Sequence, residues 1–168
     1  AFFTMINRNR RRYGGYIVHV GMVFIFVGIT GSSAYKVEKE VNLTPGQSFQ
    51  IEDYDLTYEG LQSESDLHRD KVTAFFAIRN DGEAIGHLKP QKRFYRAPEQ
   101  ITTEVAIRSN LKEDLYAILE GYDRQGNATF KFFVNPLVTW IWLGGGVITF
   151  GALICFWPER RQWVKLRT

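Results

Sequence analysis

Two long apolar stretches flank a polar middle segment in this chain of 168 residues. Residues 13–34 and 132–157 contain no Lys, Arg, Asp or Glu. An α-helix needs about 20 predominantly apolar residues to cross the hydrocarbon core of a bilayer, and both stretches meet that length. The pattern therefore predicts two transmembrane helices, over residues 13–35 and 136–157, and Pro136 is expected in the first turn of the second helix.

Between these helices, the pattern changes to the short alternations of apolar and polar residues that are typical of β-strands. A hairpin is expected around Asn80-Asp81-Gly82 and a second one around residues 124–127. We expect about six to eight antiparallel strands over residues 36–135, forming a small barrel or a sandwich. Residues 102–108 fit either a strand or a short helix. The predicted fold class is therefore a membrane protein of mixed α and β structure, with an antiparallel β-rich domain between two spans.

Basic residues cluster outside both spans, and they set the expected topology. The clusters are Arg8, Arg10, Arg11 and Arg12 before the first span, and Arg160, Arg161, Lys165 and Arg167 after the second. Because Lys and Arg near span ends remain on the cytoplasmic side, residues 1–12 and 158–168 are expected there. The β-rich domain is then expected in the periplasm or its topological equivalent. The pI of 9.0 follows largely from these clusters, so no nucleic-acid partner is expected.

His19 is the only ionisable residue deep within the first span. It shares a helix face with Gly15, Met22, Val23, Phe26 and Thr30, whereas Gly14, Gly21 and Gly28 lie nearly opposite at seven-residue spacing. The glycine face suits close packing against another helix. An ionisable side chain in a span is costly and usually points into protein. His19 is either a structural hydrogen-bonding residue or an axial ligand of haem iron. A proton relay is less favoured, because neither span contains an acidic residue or a lysine to continue it.

The polar middle segment contains no convincing catalytic group. His68 and His87 are separated in sequence without a cysteine partner, and we interpret them as surface residues. Cys155, in the second span, is the only cysteine, so the chain forms no internal disulfide. A basic strip of Lys92, Arg93 and Arg96 is either a solvated face or a docking surface for an acidic group, such as a haem propionate or a partner protein.

Several ordered blocks of the sequence resemble the C-terminal region of the CcmF family, the membrane haem lyase components of cytochrome c maturation. The segment RNRRRYGGYIVHVGMVFIFVGITGS resembles a late transmembrane segment of that family. The blocks LKPQKRFY, TEVAIRS, DLYAIL and PLVTWIWLGG follow in the family's order. The resemblance covers nearly the whole chain and implies that it corresponds to about the last quarter of the family.

The resemblance also implies a function and a cofactor. Proteins of this family attach haem covalently to the Cys-x-x-Cys-His motif of apocytochromes c, receive haem from the chaperone CcmE, and work beside CcmH. They hold a b-type haem within the membrane between two transmembrane histidines, and the histidine of their YIVH segment matches His19. That haem is thought to keep incoming haem iron reduced. The implied location is the bacterial inner membrane, or the mitochondrial inner membrane for a split organellar form.

Other parts of the family pattern are not found in this sequence. They are its tryptophan-rich segment, its two external histidines and its second transmembrane histidine. The resemblance therefore implies that this chain alone does not catalyse haem attachment, that it has no catalytic residue, and that the remaining segments of the haem lyase are partners. The alternative hypothesis is a non-enzymatic, membrane-anchored assembly protein in which His19 is structural and the β-rich domain binds a protein.

Overall fold

The computed structural model describes residues 9–97 and 99–156, which form two helices and ten strands. The helices are α1 (Arg10–Ala34) and α2 (Val138–Phe156). The strands are β1 (Val37–Leu43), β2 (Ser48–Ile51), β3 (Tyr54–Ser65), β4 (Arg69–Asn80), β5 (Glu83–Leu88), β6 (Gln91–Arg96), β7 (Glu99–Glu104), β8 (Ala106–Ser109), β9 (Glu113–Tyr122) and β10 (Ala128–Pro136). Residues 30–139 form one compact unit, and the helical segments outside them form a second.

Ten strands in the described residues exceed the six to eight that the sequence predicts. The additional strands give weak sequence signals, because β2 and β8 contain only four residues each. Strand β7 has the sequence EQITTE and is largely exposed, so it lacks the apolar alternation of a core strand. The prediction of about six to eight strands is therefore wrong, although the antiparallel class is confirmed.

The strands form two antiparallel sheets, so the β-rich domain is a sandwich. One sheet has the order β1-β10-β9-β8, and the other has the order β2-β3-β4-β6-β7, with β5 also paired to β4. The chain passes from the second sheet to the first at Val105, which separates β7 from β8. Residues 102–108 are thus parts of two strands in different sheets, and the helical alternative is wrong.

Both predicted hairpins are present in the sandwich. Asp81 and Gly82 connect β4 to β5 with φ angles of 50° and 82°. Two consecutive residues with positive φ are typical of the type I′ turn that an Asp-Gly pair favours. Residues 123–127 connect β9 to β10, and the carboxylate of Asp123 accepts hydrogen bonds from the backbone N–H groups of Gln125 and Asn127. The turn residues therefore fix both hairpin positions locally.

The core of the sandwich consists of alternate residues from both sheets. Tyr58 and Phe76 come from one sheet and Phe130 and Phe132 from the other, and all four are fully buried. The ring centroids of Phe76 and Phe130 lie 4.6 Å apart in an edge-to-face arrangement. Aromatic pairs of this kind add about 0.5–1.5 kcal/mol beyond the burial of their area. This aromatic cluster joins the two sheets.

The two helices pack against each other through glycines. A β-carbon built on Gly14 would lie 2.8 Å from the carbonyl oxygen of Gly151 and would also collide with Sγ of Cys155. A β-carbon on Gly21 would lie 2.8 Å from the carbonyl oxygen of Gly144. The helices are antiparallel, since early residues of α1 contact late residues of α2. The predicted glycine face is therefore the packing face of α1.

Pro136 does not lie in the first turn of the second helix, contrary to the sequence prediction. It is the last residue of β10 and pairs with Glu113 of β9. The next residue, Leu137, has a φ of 60° and donates its N–H to the carbonyl of Lys112 over 2.8 Å. The strand pairing extends through Pro136 because the proline is the last residue of the strand, where a missing backbone N–H is tolerated. Helix α2 begins two residues later, at Val138.

Candidate functional site

His19 makes one hydrogen bond, to the backbone of its own helix. Its Nδ1 lies 2.7 Å from the carbonyl oxygen of Gly15, one turn earlier. A carbonyl oxygen accepts only, so Nδ1 carries the proton and donates it. In the neutral ring, the lone pair is then on Nε2, which is the nitrogen free to bind a metal. The helix therefore fixes both the tautomer and the ring orientation.

The surroundings of His19 in α1 are open and apolar. Its side chain is exposed in the helical unit, on the side of α1 away from Gly14 and Gly21. A β-carbon on Gly15 would meet no atom within 4 Å, so space remains beside the imidazole. The exposed side chains on the same face include Met22, Val23 and Phe26. This face offers one nitrogen ligand within an otherwise apolar surface.

Both helices have the length and composition of membrane spans. Their most apolar windows have a mean hydropathy of 1.8, and little of either window is buried in the structure. A core helix of a soluble protein would be mostly buried, whereas these helices expose apolar side chains. These properties fit a bilayer environment and leave the His19 face available to another helix or a cofactor.

The donor chemistry of this face fits a haem group, for which His19 would provide a nitrogen ligand to the iron. A neutral imidazole is a usual ligand of haem iron, and a hydrogen bond from its other nitrogen to a carbonyl is the usual support of such a ligand. Within the described part of the chain, no cluster of three or more His, Cys, Asp or Glu side chains is arranged to hold a metal ion. His19 therefore stands outside any such cluster.

His68 and His87 are both exposed, as the sequence predicts. His68 lies in the turn between β3 and β4, and His87 lies on β5. The Nδ1 atom of His87 is 3.9 Å from a carboxylate oxygen of Glu59, and both side chains are more than 40% exposed. Such an exposed pair contributes little stability and forms no metal site.

The basic strip lies on β6 and divides between its two faces, because successive side chains of a strand point to opposite sides. The Nζ atom of Lys92 donates a hydrogen bond to the carbonyl of Glu120 on the other sheet. Arg93 points to the opposite face and forms an ion pair of 2.6 Å with Glu104. The three cations therefore do not form one continuous basic patch.

Arg96 is the most exposed cation of the strip. Its guanidinium donates to the carboxylate of Asp70 over 2.7 Å and to the hydroxyl of Ser65 over 3.0 Å. The hydrogen bonds from Ser65 and then from Arg96 lower the pKa of Asp70. Because the Arg96 side chain is 53% exposed, it keeps much of its surface available to a partner.

A second polar cluster, which the sequence did not indicate, lies at the end of the sandwich where β8 ends and β9 begins. The Asn110 side chain accepts from the N–H groups of Lys112 and Glu113 and donates to the hydroxyl of Tyr54 over 3.1 Å. The backbone carbonyl of Asn110 accepts a hydrogen bond from the hydroxyl of Thr139 in the first turn of α2. The pKa of Tyr54 is raised, mainly by burial of its hydroxyl and to a smaller extent by the negative charge of Glu113. The sequence marks Asn110 only as a turn residue. Its partners Tyr54 and Thr139 are distant in the sequence, so no local pattern predicts these hydrogen bonds.

A β-sandwich inserted between two helices of membrane-spanning length, one of which exposes a histidine, defines a class of membrane-anchored sandwich proteins. A family model described as the CcmF C-terminal beta-sandwich matches residues 34–136. The chain belongs to the CcmF family, and it corresponds to the C-terminal part of that family, as the sequence resemblance implied.

Known proteins resemble the chain over nearly its whole length. The cytochrome c-type biogenesis protein CcmF of Haemophilus influenzae is 30% identical over 95% of this chain and 25% of its own length. The protein of the same name from Pseudomonas fluorescens is 32% identical over 95% of this chain and 24% of its own. A solved structure of the cytochrome c haem lyase CcmF matches 90% of this chain and 26% of its own, with 26% identity and a TM-score of 0.73. The chain spans about a quarter of these relatives.

Proposed function

We propose that this chain forms part of a cytochrome c haem lyase and contributes His19 as an axial ligand of a transmembrane b-type haem. Its sandwich would lie outside the cytoplasm and support covalent attachment of haem to the Cys-x-x-Cys-His motif of apocytochrome c. Family membership and the names of the relatives support this proposal. The chain alone is not expected to be catalytic, because it spans only about a quarter of the length of the relatives.

The observation that carries the proposal is the hydrogen bond of 2.7 Å from Nδ1 of His19 to the carbonyl of Gly15. This bond leaves Nε2 as the free nitrogen and directs the ring away from the glycine packing face. A structural histidine on a packing face would instead contact the neighbouring helix. The absence of a side chain at Gly15 also leaves room for a flat macrocycle next to the ring.

The residues of this chain would hold and shield the cofactor. When bound, the haem would supply one-electron chemistry that keeps incoming haem iron reduced. His19 would hold the iron through its oriented imidazole, and the carbonyl of Gly15 would raise the basicity of that imidazole by accepting a hydrogen bond from Nδ1–H. Exposed Met22, Val23 and Phe26 would exclude water from the ring face.

The partners and location follow from the same proposal. The remaining segments of the haem lyase would supply the second ligand, CcmE would deliver haem, and CcmH and apocytochrome c would meet the complex outside the cytoplasm. Both termini would lie on the cytoplasmic side of the inner membrane. Arg10, Arg11 and Arg12 begin α1, which supports this orientation. The other basic residues used for the prediction, Arg8, Arg160, Arg161, Lys165 and Arg167, lie outside the described residues.

The test is a visible spectrum of the complex that co-purifies with this chain in detergent, recorded oxidised and reduced. His19→Gly should convert a six-coordinate b-type spectrum to a high-spin spectrum or remove it. Added imidazole should restore the low-spin spectrum by occupying the vacated position, which a purely structural role would not produce. His87→Gly is the matched control, because His87 is exposed in the sandwich.

An identical haem spectrum with and without His19 would contradict the ligand assignment. The chain would then be better described by the alternative, a membrane-anchored assembly protein whose sandwich binds a protein partner. Loss of the spectrum in the His87 variant would show that the effect is not specific to the α1 histidine.

A further inference from the structure

An open cleft of about 280 Å³ lies at one end of the sandwich. It occupies the gap between β5 of one sheet and β8 of the other. Arg108, Asn110 and Tyr54 line one part, and Asp81 and Glu83 of the β4–β5 turn line another. The cleft is too small for a large cofactor, but it can hold a small polar group.

Arg108 is half-buried beside this cleft, and its guanidinium has no partner in the part of the chain that the structure describes. Among residues 9–97 and 99–156, it forms no ion pair and no side-chain hydrogen bond, and Asp81 and Glu83 also form no ion pair. A β-carbon on Gly86 would lie 3.2 Å from Nη1 of Arg108, so this glycine makes room for the guanidinium. The five N–H donors of an arginine match the geometry of a phosphate oxygen pair.

The cleft lies at the end of the sandwich that is joined to both helices. Only Tyr35 and Lys36 connect α1 to β1, and only Leu137 connects β10 to α2. Two residues span at most about 7 Å, so this end cannot be far from the helix ends. Register places the cleft residues here, since Ser109 pairs with Asp114 next to the end of β10. Residues 30–34 of α1 and residues 138 and 139 of α2 belong to the same compact unit as the sandwich, so helix ends that reach the headgroup layer bring this end of the sandwich to that layer.

Exposed side chains at the same end suit that layer. Tyr35 is 73% exposed, and Leu111, beside Asn110, is 75% exposed. Aromatic and apolar side chains next to lysines are typical of the membrane interface. Lys36 and Lys112 are their neighbours in sequence. The end with the cleft therefore has the composition of a membrane-contacting surface.

We propose that this cleft binds the phosphoethanolamine headgroup of a bilayer phospholipid. Arg108 and Asn110 donate hydrogen bonds to the phosphate, and Asp81 and Glu83 pair with the ammonium. A phosphate without a cation would be repelled by the two carboxylates, and a trimethylated ammonium cannot donate hydrogen bonds to them. The proposal does not depend on the haem lyase role, because none of these residues belongs to the His19 face.

The experiment is native mass spectrometry of the complex containing this chain, reconstituted with phosphatidylethanolamine, phosphatidylglycerol or phosphatidylcholine in equal amounts. Phosphatidylethanolamine should be retained preferentially. Arg108→Gln should lower that retention about tenfold, since it removes charged hydrogen bonds. The double change Asp81→Asn and Glu83→Gln should abolish the preference for phosphatidylethanolamine. Arg124→Gln is the control, because Arg124 lies in the β9–β10 turn at the opposite end of the sandwich.

Several outcomes would overturn the proposal. Retention that is unchanged in Arg108→Gln excludes the cleft as the site. Equal retention of phosphatidylglycerol shows a site for phosphate alone. Equally tight binding of soluble phosphoethanolamine shows a site for a free metabolite instead of a lipid. If Arg108→Gln does not fold by circular dichroism, Arg108→Lys replaces it. That variant keeps the cation but loses the fork of donors, and it should retain less lipid than the parent.

Discussion

Gly21 of α1 lies directly against Gly144 of α2, so that a β-carbon on Gly144 would stand 2.6 Å from the carbonyl oxygen of Gly21. The reciprocal distance, from a β-carbon on Gly21 to the carbonyl oxygen of Gly144, is 2.8 Å. Both distances are shorter than real β-carbon contacts. Because the opposing atoms are backbone, the helices cannot accommodate a side chain at either position without moving apart.

Gly21→Ala is therefore expected to destabilise the helix pair by about 1–3 kcal/mol, as over-packing of a close contact does. The measurement is thermal unfolding in detergent, followed by circular dichroism in the helical bands. Gly145→Ala is the matched control, since a β-carbon there meets no atom within 4 Å. Equal destabilisation by the two variants would show that helix contact does not determine the effect.

The sequence predicted the parts of this structure that depend on local pattern. Gly14 and Gly21 at seven-residue spacing predicted the packing face of α1, and Asp81-Gly82 predicted a hairpin because its turn needs positive φ. The residue at which the last strand ends could not be predicted from the local sequence, because Pro136 belongs to the strand only through its pairing with Glu113 on β9. The strip of Lys92, Arg93 and Arg96 is continuous in sequence, but strand geometry divides it between two faces.

The cleft at Arg108 could not be found from the sequence, for a physical reason. Arg108 and Asp81 belong to different sheets, and only the crossing of the chain at Val105 brings their strand ends together. An unpaired cation is also not visible in sequence, because pairing depends on distances between strands. In contrast, the sequence alone singles out His19 as a candidate, since an ionisable residue in an apolar stretch is conspicuous without any tertiary structure.

Gly15→Leu tests whether a cofactor lies beside His19. The structure leaves open space at Gly15, so the leucine should not disturb the helix pair, but it would occupy the space next to the imidazole. We expect the purified complex to keep its unfolding temperature and to lose most of its b-type visible absorption. Gly145→Leu, at an equally open position of α2, should keep both. An unchanged spectrum in Gly15→Leu would show that no macrocycle lies on this side of His19.

Tyr58→Phe tests a hydrogen bond that joins the two sheets. The buried hydroxyl of Tyr58 on β3 donates to the carbonyl of Gly126 in the β9–β10 turn over 2.9 Å. Its removal should lower the free energy of unfolding of the sandwich by about 0.5–1.5 kcal/mol. The measurement is hydrogen exchange of the core amides in the detergent-solubilised complex. Tyr122→Phe, at a side chain that is 42% exposed, should have little effect.

The same tyrosine predicts a dependence of stability on alkaline pH. The pKa of Tyr58 is raised to about 12, mainly by burial of its hydroxyl and to a smaller extent by the negative charge of Asp123. The folded state therefore holds the phenolic proton more tightly than the unfolded state, in which the pKa is about 10. The stability due to this difference is complete below pH 10 and is lost as the pH rises to about 12. In Tyr58→Phe, this part of the alkaline loss should disappear, and an unchanged pH profile would contradict the assignment.

Arg96→Glu tests whether the exposed end of β6 is a docking surface for an acidic partner, which is one of the two interpretations of the basic strip. Arg96 is the most exposed cation of the strip, so reversal of its charge should weaken association with CcmE or apocytochrome c about tenfold at low salt. The effect should decrease as salt is added, because screening reduces interactions between exposed charges. Arg124→Glu controls for the change in net charge. Arg96→Glu also removes the partner of Asp70, so circular dichroism must first show an intact sandwich. If affinity and salt dependence then match those of the parent protein, the acidic partner does not bind at this strand.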